Sequence, residues 1–173
     1  MSHFTPRFFC RVILLCVSTD FVIGVAVADE PIVVRQRLPM ETLIVRLRPG
    51  DDVYARLQQI AKDEQIDAGC VLACVGSMRK VALRFANQPR ARVLDGKFEI
   101  VSLSGTLSRN RSHLHASVSD GQGRTTGGHL MPGGEVFTTV EITIGILPQL
   151  NFVRALDPES GYPELVIRKR DEP

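Results

Sequence analysis

Three of the chain's four histidines, His113, His115 and His129, fall within one short segment, SHLHASVSDGQGRTTGGHL, residues 112–130. Imidazole is the commonest metal ligand among side chains, so the question is whether the backbone can bring the three rings together. In an extended HLHASVSD the side chains alternate. His113, His115, Ser117 and Ser119 then share one face, and Leu114, Ala116 and Val118 point the other way, toward a core. DGQGR reads as a turn, because its glycines take positive φ without strain. With Asp120 and Arg124 flanking a three-residue turn, His115 faces His129 and His113 faces Met131. Directly opposed residues have Cβ atoms about 4.5–5.5 Å apart, within reach of a shared ion. Three imidazole nitrogens suit zinc or a similar divalent metal at about 2.0–2.1 Å, with one coordination position left open. Gly127 and Gly128 would leave room beside His129.

The arrangement depends on register, since a slip of one residue sends His129 to the opposite face. His-x-His alone is a weak signal, and exposed histidines on a polar sheet face are the competing reading. Glu141, in TTVEITI, is the one carboxylate in an otherwise apolar strand. It is a candidate to hold an imidazole in its metal-binding orientation, to ligate directly, or to sit at the rim. His3 lies in the N-terminal segment and is not a candidate. No Gly-x-Ser-x-Gly elbow or phosphate loop is present, and GGHLMPGG lacks the spacing of a nucleotide fingerprint.

The formal charge of +2 offers no broad basic field for direct nucleic-acid binding, and the absence of Trp argues against a base-stacking platform. The arginine pairs 46/48, 90/92 and 109/111 read as solvated or ion-paired strand faces. Cys10 and Cys16 lie near the N-terminus. Cys70 and Cys74 sit in an apolar run, GCVLACVG, where regular alternation would point both the same way along one strand. They would be too far apart to bridge and read as buried free thiols.

Holding these residues requires a folded domain, and 173 residues suffice for one. Residues 1–28 have the layout of a secretory signal: Arg7 and Arg11, an apolar run from Val12, then Ala26-Val27-Ala28. Asp20 interrupts that run, and an uncleaved cytoplasmic extension is the alternative. The run is too short and interrupted for a membrane span, so no stable span is expected after cleavage. The expected location is periplasmic or secreted if the signal works. Residues 29–40, with Pro31 and Pro39, read as a linker, 41–168 as the domain and 169–173 as a charged tail.

Within the domain, ETLIVRLRP alternates as a strand. GDDVYARLQQIAKDEQID then changes period, with Val53, Leu57, Ile60 and Ala61 at helical spacing and Asp51 or Asp52 available as a cap. The segments that follow are AGCVLACVGSM, KVALRFAN, KFEIVSLSGTLS, SHLHASVSD, GRTTGGHLMPGG, EVFTTVEITIGILP, NFVRALD and PELVIRKR. Nearly all are short and β-branched or alternating, and Gly, Pro, Asn or Asp separates them. One helix among many strands predicts an α+β domain, a mostly antiparallel sheet with the helix packed on it.

The ordered set GKFEIVSLSGTLS, SHLHASVSDGQGRTTGGHL and EVFTTVEITIG, preceded by GCVLACVGSMRKVALRFAN, resembles the PPC (plants and prokaryotes conserved) domain over residues 41–150. The resemblance is to the prokaryotic single-domain type, whose members carry similar His-x-His and Gly-Gly-His elements. It implies a homotrimer, and it implies metal-binding roles for His113, His115 and His129. Plant relatives add AT-hooks with an Arg-Gly-Arg core, which this chain lacks. The leading expectation is a homotrimeric domain that binds a divalent metal or a small ligand at the histidine hairpin. The alternatives are a metal-dependent enzyme that activates water at the open position, and a DNA-associated regulatory or interaction domain. Neither a reaction nor its absence follows from the residues.

Overall fold

The computed structural model describes residues 38–170. Its elements run β1 (Glu41–Leu47), α1 (Val53–Asp63), β2 (Gly69–Arg84), β3 (Arg92–Leu107), β4 (His113–Ser119), β5 (Thr125–Leu130), β6 (Glu135–Ile146), β7 (Leu150–Leu156) and β8 (Pro163–Lys169). Six strands form one sheet in the order β1-β6-β2-β3-β4-β5, and every pairing is antiparallel. The α+β class expected from the sequence is therefore present. The segment expected to be a signal and most of the expected linker lie outside the described residues, as do the last three residues of the tail. No helix among the described residues is long and apolar enough to cross a membrane.

AGCVLACVGSM and KVALRFAN are not two strands. They form one 16-residue strand, β2, because local irregularities absorb the breaks in alternation. Between Val71 and Ala73 the register against β6 shifts, so Cys70 pairs with Gly145 and Cys74 with Ile142. Those partners have opposite parity on a strand that β1 pairs without interruption. The two thiols therefore point to opposite faces, contrary to the expectation from simple alternation. Both are free, as expected.

The sheet also closes on itself. Having paired with β4, β5 returns to the end of β2 through Leu83↔Leu130 and Arg84↔His129. The enclosed core includes Leu83, Leu114, Val118 and Leu130, none of them more than 2% exposed. The helix covers another part of this core with Val53, Leu57 and Ala61. Asp52 caps it, accepting from Ala55 N at 2.9 Å, and the same carboxylate accepts from the backbone of Gly133 and Gly134. One side chain thus ties the helix start to the loop before β6.

Strands β7 and β8 form a separate two-stranded hairpin. Buried Asp67 anchors its start and end: its carbonyl accepts from Phe152 N, and its carboxylate pairs with Arg109 at 2.6 Å and Arg170 at 3.7 Å. Arg109 is thus one of the arginines that the sequence reading assigned to ion-paired surface.

Candidate metal centre

The histidine hairpin forms with the register expected from its sequence. Asp120 N donates to Arg124 O at 3.0 Å, and Gly123 in the turn takes φ 77°. The Asp120 carboxylate locks the turn by accepting from Gln122 N, Arg124 N and the Arg124 guanidinium. His115 then pairs with His129, and the ladder continues to Ser119↔Thr125. On β4, Leu114, Ala116 and Val118 are buried while His113 and His115 stand on the other face. Burying three apolar side chains stabilises this orientation by several kcal/mol at about 1.5–3 kcal/mol per large side chain, so a flipped strand is strongly disfavoured.

His113 does not pair with Met131. Past His129 the fifth strand leaves β4 for β2, and Met131 N donates instead to Ala82 O. Gly128 permits this departure. A Cβ there would lie 2.8 Å from the Arg84 carbonyl oxygen, so the missing side chain serves close backbone approach rather than open space above the rings. Gly105, on β3, is similar: φ is 137°, and a Cβ would lie 2.0 Å from the His113 carbonyl oxygen. It lets β3 press against the first histidine.

The three rings converge. His113 Nε2 lies 3.1 Å from His129 Nδ1 and 3.2 Å from His115 Nε2. Ligand nitrogens from all three residues lie within 4.8 Å of one another. Nitrogens at about 2.0–2.1 Å from a tetrahedral ion are themselves about 3.3 Å apart, so the observed separations match the edges of a coordination polyhedron. The donor set suits a borderline divalent cation such as zinc. Glu141 is not part of it. It lies on β6 opposite Arg46 and Val75, is exposed, and makes no hydrogen bond to any of the three imidazoles.

Burial, and then surrounding charge, favours the ligating form of two rings. Partial burial lowers the His113 pKa, with the Arg154 guanidinium next in effect, against a weaker opposing pull from Glu164. Partial burial and then Arg84 lower that of His129. Both shifts favour the neutral ring, whose lone pair can ligate. His113 and His129 also line a cavity of about 460 Å³, whose wall includes Arg84, Arg111 and Arg154. The sequence reading singled out neither Arg84 nor Arg154, and it assigned Arg111 to a solvated or ion-paired strand face. The available signal was a charged residue inside each of two apolar strand segments, VALRFAN and NFVRAL.

Residues 34–148 match the family described as the Plants and Prokaryotes Conserved (PCC) domain. A Synechococcus sp. (strain JA-3-3Ab) protein named bifunctional protein GlmU is 42% identical over 149 residues, 84% of this chain. The chain spans only 23% of the length of that curated relative. Among solved structures, a hypothetical protein from Salmonella enterica superimposes with a TM-score of 0.76 at 42% identity, covering 78% of this chain and 98% of its own. The metal-containing protein AF0104 from Archaeoglobus fulgidus has the same fold, with TM-score 0.65, 24% identity and coverage of 76% and 99%. A Ralstonia eutropha JMP134 protein with a provisional DNA-binding name gives TM-score 0.59 at 26% identity, covering 72% and 89%.

Proposed function

From the premise that this chain belongs to the Plants and Prokaryotes Conserved domain family, we propose that it is a metal-binding member whose ligands are His113, His115 and His129. The observation that carries this reading is the spacing of 3.1 and 3.2 Å between imidazole nitrogens delivered by two strands in fixed register. Zinc is the cation this donor set fits first. When bound, such a cation supplies Lewis-acid polarisation of a ligand oxygen. The chain's own groups do the rest. The hairpin orients the rings, Arg84 and Arg154 help to keep two of them neutral, and the cavity admits a small molecule beside them. The family likeness to a protein named as metal-containing supports the same reading.

The test is metal analysis of the purified full chain beside a His113→Ala/His115→Ala variant. The parent is expected to carry or take up about one divalent ion per chain and the variant none. A parent that binds no divalent metal, or a variant that binds it equally, overturns the assignment.

The same proposal includes self-association as a trimer, as the family resemblance implies. Ile44 and Val75, on one outer face on either side of β6, are 78% and 60% exposed and offer aliphatic surface to a second copy. It also includes export directed by residues 1–28, from their basic, apolar and small-residue layout. Association with DNA is the second reading, favoured by the name of the Ralstonia protein. Phosphate contacts make such binding fall steeply with salt, so affinity for duplex DNA that collapses between 50 and 200 mM salt would support it.

A further inference from the structure

The cavity beside the histidines has a wall that metal binding does not explain. Arg84, Arg111 and Arg154 all line it, and none of them has an ion-pair partner among the described residues. Arg46, Arg48, Arg90, Arg92 and Arg168 also lack such a partner among the described residues, so what sets these three apart is that they share one cavity. Arg84 and Arg154 are half-buried, where an unneutralised charge is costly. Among the described residues Arg154 donates to the Thr106 hydroxyl alone, at 3.0 Å. The one carboxylate in the wall is Glu164, set against three guanidinium groups.

The lining also has an apolar part, with Leu130, Met131 and Tyr54. A volume of about 460 Å³ falls in the range of small-metabolite sites. Tyr162, Pro163 and Glu164 complete the rim. Together with Arg154 they belong to the β7–β8 hairpin, which lies beyond the residues matched to the family.

We propose that this cavity binds a small organic oxyanion, a carboxylate or phosphate ester on an apolar body, held by Arg84, Arg111 and Arg154. The C-terminal hairpin is its specificity element. Arg154 supplies a charge-assisted donor from the hairpin, and Glu164 penalises ligands of higher negative charge at the rim. Binding does not require the metal, although the site opens onto His113 and His129.

The experiment is calorimetric titration of the metal-free full chain with three probes: benzoate, phenyl phosphate and inorganic phosphate. Saturable binding of benzoate or phenyl phosphate, tighter than inorganic phosphate, is expected, and the stronger of the two identifies the head group. Arg154→Gln and Arg84→Gln should each weaken it by about tenfold or more, the scale of one lost hydrogen bond to a charged group. Glu164→Gln should tighten it about twofold or more, a gain that mere damage to the fold does not produce. The titrations are made on the metal-free chain, which separates this site from the metal reading. The inference is overturned if neither organic probe binds, or if inorganic phosphate binds as tightly as both. It is equally overturned if Glu164→Gln and a folded arginine variant, judged by an unchanged melting temperature, bind as the parent does.

Discussion

At the scale of residues, the central feature is that three imidazoles meet in surroundings that favour the neutral form of two of them. The depressed pKa of His113 and His129 has a sign that can be tested in the metal-free protein. The unfolded chain takes up protons near the ordinary histidine value of about 6.5, before the folded one does. Their contribution to stability is therefore complete above that pH and is lost as pH falls through the lowered folded values. Thermal melts from pH 7.5 to 5 should show a falling melting temperature, and the fall should be smaller in a His113→Asn/His129→Asn variant. Metal affinity should weaken over the same interval, because only neutral rings ligate. Replacing His115 with Ala should cost more than about 100-fold in affinity, beyond the 10–100-fold typical of losing a residue that merely orients a ligand. The thiols make a contrasting case. Burial pushes Cys74 up to about 12 and raises Cys70 as well. Neither should react with a disulfide reagent at pH 8 until denaturant is added.

At the scale of elements, the hairpin was legible because three local signals agree. Alternation, a turn with glycine at a positive-φ position and an apolar opposite face all fix His115 against His129. What lay outside local reading is the route of β5 after that pair. Its return to β2 depends on the Arg84 backbone approaching Gly128, a contact between residues far apart in sequence. The facing of Cys70 and Cys74 was misread for a related reason. A bulge arises from pairing with β6, and no residue in GCVLACVG announces it. Gly105→Ala tests how closely β3 is pressed to the site. Its backbone is in the region that favours glycine, and a Cβ would collide with the His113 carbonyl. The expected cost is about 1–3 kcal/mol in denaturant unfolding, together with weaker metal binding. Asp52→Ala should cost about 0.5–2 kcal/mol through the lost helix cap, and more if the bonds to Gly133 and Gly134 also contribute.

At the scale of the whole molecule, composition and strand count were enough to indicate an antiparallel sheet with one helix. The order β1-β6-β2-β3-β4-β5 was not readable, since β6 inserts between the two elements that begin the chain's strand sequence. The cavity was illegible for the same reason: its arginines come from β2, the β3–β4 connection and the C-terminal hairpin, which only the fold assembles. The exposed Ile44 and Val75 predict self-association. Light scattering on the purified chain should give the mass of a trimer, and Val75→Glu should shift it toward monomer. Processing at residue 28 should leave Asp29 as the first residue of the exported protein, which N-terminal sequencing reads directly. The central claim, a divalent ion held by His113, His115 and His129, is tested most directly by X-ray absorption at the zinc edge of the metal-loaded chain. Three imidazole nitrogens and one further light donor at about 2.0–2.1 Å are predicted. A spectrum lacking imidazole scattering, or one dominated by sulfur at about 2.3 Å, would contradict it.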